Sequence, residues 1–410
     1  MEAVKRGNSV GILFMRLLIS LGIISFLVFY SPKTFTFDQG YGGMDIHFPL
    51  QTEDKCDIFK GEWIKTGENE SLYSSTKCAW IPDWKNCFKH GREDIEFVNW
   101  RWKPHACEMP RFAANKFLQI VRNRKMMFIG DSVARNQMES LLCILSKVEV
   151  PTEVEKEDDE AGNWTLYFSS YNFTITFVRS IFLVKSEEII INGSSSGSFN
   201  IYLDKVDDKW TEKLPSTDYA IISAAHWFFR KNYLYEKGNL IGCVHCSEPN
   251  VTNLGLGFAV GKAIRSALEF IHGCKNCHSL MTILRTFSPT HFENGTWNNG
   301  GYCNKTSPIS SETDIDLGGP AWELRNVQKA EIERARRKAT KSNSDQKFWI
   351  LDVTMAMLMR PDGHPGSHWG NQWMKGINDC LHWCLPGPID VWNDWLLELM
   401  KMKARSSPEL

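Results

Sequence analysis

A serine hydroxyl becomes an acyl-transfer nucleophile when a histidine takes its proton and a carboxylate orients that histidine. Two short motifs carry these three groups. The first is Phe128-Ile129-Gly130-Asp131-Ser132. The apolar run at residues 125–129 predicts a strand and residues 133–145 predict a helix, so Ser132 falls at a strand-to-helix junction. Open α/β sheets gather ligands at the carboxyl ends of their strands. Gly130 permits a tight turn there. The Ser132 backbone N–H, at the start of the helix, can stabilise an oxyanion. A helix cap at Asp131 or Ser132 accounts for the same residues without chemistry.

The second motif is Asn378-Asp379-Cys380-Leu381-His382-Trp383-Cys384. At this spacing Asp379 and His382 share one face of a helical turn. The carboxylate then fixes the imidazole tautomer while the other ring nitrogen faces the nucleophile. The order is serine after the first strand, then Asp-x-x-His before the last helix. Arg285 and His291 follow a predicted strand at 280–284 and fit either substrate contact or a buried polar network. His364 and His368 are separated by Pro365 and Gly366, so they read as a loop with a structural or substrate-contact role, not as a metal pair. Cys243-x-x-Cys246 and Cys274-x-x-Cys277 have zinc-ligand spacing. In an oxidising lumen they are expected as disulfides, and no metal is expected.

Around these motifs the pattern is α/β. Strands are predicted at 171–178, 199–203, 219–222 and 348–353, and helices at 257–271, 321–340 and 391–403. Apolar strands alternating with helices predict a three-layer α/β/α domain with a mostly parallel sheet over 113–403. The acidic stretch 153–160 reads as a solvated loop. Residues 56–112 interleave Cys56, Cys78, Cys87 and Cys107 with five Trp and have little periodicity. They read as a disulfide-stapled, loop-rich lobe on the main body.

The chain has 410 residues and a net charge of -1, which gives no global field for nucleic acid. Its 16 Trp are expected mostly in the core, although indole faces also suit sugar rings. All 12 Cys lie beyond residue 55. Residues 10–30 are apolar with one charge, Arg16, which is enough for a membrane span. Lys5 and Arg6 precede the span and put the N-terminal tail, residues 1–9, in the cytosol. The residues after the span, Ser31-Pro32-Lys33, lack a small-x-small cleavage pattern, so an uncleaved anchor is expected over a signal peptide. A polar stem at 31–55 follows, and 404–410 form a tail. Sequons at Asn69, Asn163, Asn172, Asn192, Asn250, Asn294 and Asn304 fit a secretory compartment.

A collinear set of further residues runs from Cys56 to about residue 399. It includes Gly61-Glu62-Trp63, Trp100-Arg101-Trp102-Lys103-Pro104, Gly130-Asp131-Ser132 with Arg135-Asn136, and Arg285-Thr286-Phe287-Ser288-Pro289 with His291. It closes with Asp362-Gly363-His364-Pro365 and Asp379-Cys380-x-His382-Trp383-Cys384-Leu385-Pro386-Gly387. On these residues the chain resembles the plant trichome birefringence-like polysaccharide O-acetyltransferases of the wider GDSL/SGNH group. The resemblance implies a Golgi membrane protein of type II topology with its catalytic domain in the lumen. It implies Ser132, Asp379 and His382 as the triad, and the disulfides Cys56–Cys107, Cys78–Cys143, Cys87–Cys384 and Cys303–Cys380. No bound cofactor is implied, only an acetyl donor. The resemblance implies a hemicellulose or other wall glycan as acceptor, with xyloglucan expected first, then mannan, xylan or pectin. The Gly and Asn blocks usual in SGNH hydrolases are absent, with Ala225-His226-Trp227-Phe228 after the strand at 219 instead. Arg135 and His226 are therefore the candidates for a second oxyanion donor. An acetyl esterase with the same triad and a non-catalytic glycan binder are the competing readings.

Overall fold

A computed structural model of the chain describes residues 56–67, 71–156, 162–277, 279–370 and 376–406. The expected anchor at 10–30, the cytosolic tail, the stem and the sequon at Asn69 lie outside the described residues. No helix among the described residues is long and apolar enough to cross a membrane.

The N-terminal lobe is built on an antiparallel pair, β1 (Gly61–Lys65) and β2 (Trp100–Pro104). Trp63 and Trp102 lie opposite each other in register, with ring centroids 5.6 Å apart. Both indoles are buried and both N–H groups are satisfied, Trp63 by the Ala356 carbonyl and Trp102 by the Ile58 carbonyl. These tryptophans are core, and the Trp63 bond ties the lobe to the main body.

The main body begins with α1 (Ala114–Ile120), β3 (Lys125–Gly130) and α2 (Ser132–Leu145). Then come β4 (Thr152–Lys156), β5 (Trp164–Phe168) and β6 (Phe173–Arg179). The chain continues through β7 (Val184–Ile191), β8 (Ser194–Val206), β9 (Tyr219–Ser223), β10 (Asn232–Glu236) and β11 (Asn239–Val244). It closes with α3 (Leu256–Gly273), β12 (Met281–Arg285), α4 (Pro320–Lys341), β13 (Lys347–Leu351) and α5 (Asp390–Ser406).

Seven strands form the main sheet in the order β13-β12-β9-β3-β6-β5-β4. The first five are parallel, and β5 and β4 are added antiparallel. Apart from Lys125 at the start of β3 the central strands are buried, as strands covered on both faces must be. Met126, Phe128, Ile221 and Ile283 share a core with residues of α1, α2 and α5 and with the lobe tryptophans. A separate group, α3 against α4, packs on β13 and β8.

Two expectations change here. Residues 152–156 are an exposed strand, not a loop; β4 pairs with β5 at the sheet edge, where charged side chains face solvent on both sides. The sheet is mixed. Residues 199–203 belong to a second sheet of four strands, β11-β10-β8-β7, where only β8 and β10 run parallel.

Six disulfides link the 12 cysteines. Cys56–Cys107 closes the lobe, Cys78–Cys143 fixes it to α2, and Cys87–Cys384 fixes it to the loop before α5. Cys303–Cys380 staples that same loop from the other side. Cys243–Cys246 and Cys274–Cys277 are local pairs, so these cysteines are not free to hold zinc. Among the remaining sequons, Asn172, Asn192, Asn250, Asn294 and Asn304 are exposed, while the Asn163 side-chain oxygen accepts the Arg179 N–H at 2.9 Å.

Candidate active site

Strand β3 ends at Gly130, between Arg179 of β6 and Ser223 of β9. A Cβ on Gly130 would run into the Ser223 carbonyl oxygen, so glycine is what lets the strands close here. Asp131 caps α2, its carboxylate accepting the Val133 N–H at 3.0 Å. The cap and the nucleophile position are thus separate residues, and Ser132 is the first residue of the helix.

The partner comes from the loop before α5. Gly366 and Asp379 exchange backbone hydrogen bonds of 2.9 and 2.8 Å. Asp379 and His382 were expected on a helical turn, but the segment is an irregular turn held by the Asp379 side chain itself. Its Oδ1 accepts the N–H groups of Leu381 at 3.1 Å and His382 at 2.9 Å. Its Oδ2 faces His382 Nδ1 at 2.8 Å, and His382 Nε2 lies 2.7 Å from Ser132 Oγ. A carboxylate only accepts, so Nδ1 carries the proton and Nε2 is left to accept from the serine hydroxyl. Burial alone would raise the Asp379 carboxyl. The His382 ring, its hydrogen bonds and the Leu381 N–H outweigh burial and hold it down at about 2.

The lobe supplies a wall of this site. The Trp84 ring stands edge-on to His382 at 4.8 Å. Beneath Trp84, Lys85 Nζ bonds Glu139 Oε2 at 2.5 Å with both side chains fully buried, and Arg135 Nε bonds Glu139 Oε1 at 2.9 Å. Burial lowers the Lys85 pKa, against the pull of Glu139. Neither Lys85 nor Glu139 stood out in the sequence, because charges 54 residues apart ordinarily read as solvated.

The other candidates fall around this line. His226 Nδ1 lies 3.0 Å from Asp131 Oδ2 and Nε2 lies 2.9 Å from the Ser288 carbonyl oxygen. Both ring nitrogens face acceptors, so His226 has no further N–H for an oxyanion. It buttresses the Asp131 turn. Burial would raise the Asp131 carboxyl, but His226, Arg285 and the Val133 N–H hold it far below the usual range. Arg285 is 2% exposed and lies over the Trp392 ring at 4.6 Å, near enough to Asp131 to feel its charge, but its Nε and one terminal nitrogen are buried without a hydrogen-bond partner among the described residues, so it makes no polar network there. Arg135 is committed through Nε to Glu139. His291 Nδ1 and His364 Nε2 are 2.7 Å apart, and His364 Nδ1 donates to the His382 carbonyl at 2.7 Å. Burial pushes both imidazoles toward the neutral form. His368 Nδ1 lies 3.1 Å from the His90 carbonyl oxygen, away from His364.

A serine, an imidazole and a carboxylate in one hydrogen-bonded line are the parts of a covalent acyl-transfer site. A model of the GDSL/SGNH-like acyl-esterase family found in Pmr5 and Cas1p matches residues 109–399, and the PMR5 N-terminal domain matches residues 54–108. The chain belongs to this family. Among curated relatives, xyloglucan O-acetyltransferase 4 of Populus trichocarpa is 55% identical over 86% of this chain and 83% of its own length. Xyloglucan O-acetyltransferase 3 of the same species is 50% identical over 93% of this chain and 95% of its own. Xyloglucan O-acetyltransferase 2 of Arabidopsis thaliana is 45% identical over 93% and 91%. Family membership thus covers both the lobe and the sheet domain that meet at His382.

Proposed function

We propose that this chain is a polysaccharide O-acetyltransferase acting on xyloglucan through an acetyl-Ser132 intermediate. The observation that carries the reading is the unbroken line Ser132 Oγ, His382 Nε2, His382 Nδ1, Asp379 Oδ2. The near full-length similarity to relatives named for xyloglucan supports the acceptor class.

In the first half-reaction His382 takes the Ser132 proton as Oγ attacks the acetyl carbonyl of the donor. The donor's leaving group departs with that proton. In the second half His382 takes the proton of a sugar hydroxyl, whose oxygen attacks the acetyl-serine. Ser132 leaves and is reprotonated by His382. The Ser132 N–H at the start of α2 stabilises the oxyanion in both halves. Asp379, held ionised, keeps the imidazole in the tautomer that accepts from serine and stabilises its charged form. Water in place of the sugar would make the same site an esterase.

A lumenal Golgi setting accords with six disulfides and the apolar segment at 10–30, which we read as a type II anchor. The test incubates the full chain, wild type and Ser132→Ala, with a small acetyl ester and a panel of xyloglucan, mannan, xylan and pectin oligosaccharides. Acetylated xyloglucan and an acetyl group on Ser132 are expected from the wild type only. Transfer by Ser132→Ala would overturn the nucleophile, and deacetylation without transfer would turn the assignment to an esterase.

A further inference from the structure

The parallel strands bring more than Ser132 to their carboxyl edge. Arg179 ends β6 in register with Gly130 of β3. The residues after β9 form a short 3-10 turn, His226–Phe229, whose first residue grips Asp131. The second, Trp227, is the chain neighbour of that histidine. Its half-buried indole stacks with two guanidinium groups, Arg230 at 4.3 Å and Arg179 at 5.6 Å. Arg230 also lies 5.4 Å from the ring of Trp297, so one guanidinium serves two indoles. Trp297 is 47% exposed and Phe229 is 41% exposed, although folding ordinarily hides such surface. Phe229 is itself stacked on Phe287, just past β12, at 5.7 Å. The exposed rings are thus fixed from below, not dangling.

From this placement we infer that the Trp227–Arg230–Trp297 stack is the acceptor subsite, taking the pyranose rings of a neutral hemicellulose chain beside Ser132. The inference rests on the acetyltransferase reading and adds the surface that presents the sugar. A pyranose offers an apolar C–H face to an indole and a rim of hydroxyls to guanidinium N–H donors. The site needs a platform of this kind, because the attacking hydroxyl must be held within reach of acetyl-Ser132. His226 joins the two parts. It bonds the Asp131 turn on one side and the Ser288 carbonyl on the other, and it stacks on Phe287 at 4.7 Å.

The experiment measures xyloglucan-oligosaccharide binding to full chains carrying Ser132→Ala, alone and with Trp297→Ala or Trp297→Phe, by calorimetry. Transfer kinetics are read in the same Trp297 variants with Ser132 intact. Loss of one stacking ring is expected to weaken oligosaccharide binding about tenfold and to raise KM more than it lowers kcat, with Trp297→Phe restoring most of both. Oligosaccharide affinity unchanged in Trp297→Ala would overturn the inference. So would a loss confined to the acetyl donor, which would make the stack a donor site. If the wild type transfers to no glycan, the acetyltransferase reading fails by itself, and the binding arm still decides whether the stack holds sugar.

Discussion

Asn136 and Trp383 exchange two hydrogen bonds. The Asn136 side-chain oxygen accepts the Trp383 N–H at 2.8 Å, and its amide donates to the Trp383 carbonyl at 3.3 Å. Asn136 lies one helical turn beyond Ser132, and Trp383 follows His382. The pair therefore clamps the element carrying the nucleophile to the loop carrying the base. Asn136→Ala leaves a buried N–H unpaired, at a cost of about 1–3 kcal/mol. Because a misplacement of roughly 1 Å costs on the order of 10²-fold in rate, kcat should fall by that factor with a smaller change in KM. Kinetics and a melting curve on the variant check this, and wild-type kcat would remove the clamp from the mechanism.

Two carboxyls on α5 should make stability depend on pH. Burial raises Asp390 to about 6, opposed by hydrogen bonds from Ser140 and Tyr73. Burial and then Asp390 raise Asp394 to about 8, opposed by Arg101. In the unfolded chain both titrate near ~4. At these two groups the native state thus holds more protons than the unfolded state between about 4 and 8, so their contribution falls as pH rises, whereas His291 and His364, pushed neutral by burial, act the other way below about 6.5. The melting temperature should therefore fall from about pH 7 to about pH 8, where the two histidines are neutral in both states. Asp394→Asn, which cannot ionise, should flatten the slope. An equal slope in that variant would show that Asp394 does not couple to folding.

The two kinds of disulfide should differ in consequence. Cys87–Cys384 joins residues 297 apart and anchors the base loop, whereas Cys274–Cys277 joins residues three apart past the end of α3. Closing a long loop restricts the unfolded chain far more than closing a short one. Cys87→Ser/Cys384→Ser should lower both the melting temperature and transfer activity, and Cys274→Ser/Cys277→Ser should leave activity near wild type. Equal losses in the two would refute the anchoring role.

The site was legible where its determinants are local. An apolar run, Gly130 and a polar pair at a helix start read directly as a turn presenting Ser132. Asp379 and His382 are three residues apart, so their partnership also read from spacing, although the turn proved irregular. What spacing does not carry is long-range pairing. The Lys85–Glu139 ion pair and the Asn136 clamp join residues that look ordinary on a surface helix. The second sheet was largely hidden for a related reason. Strand β7 is half polar and mostly exposed, with its apolar residues bunched at the end, and β8 begins in a Ser-rich stretch, so neither carries a clean two-residue apolar alternation until β8 turns inward at Phe199. His226 was singled out as an oxyanion donor because it follows a strand end. Its use of both nitrogens became visible only once Asp131 and Ser288 were placed beside it.

Ser132 and its base are 250 residues apart in a chain made from the N-terminus onward. At about 5–20 residues per second, tens of seconds pass between the synthesis of the nucleophile and the synthesis of its base. Even then Cys380 and Cys384 must find Cys303 and Cys87 before the loop is pinned. A nascent chain that has not yet reached His382 therefore carries an ordinary serine alcohol. Acyl chemistry becomes available only late in synthesis, once the base loop has been made.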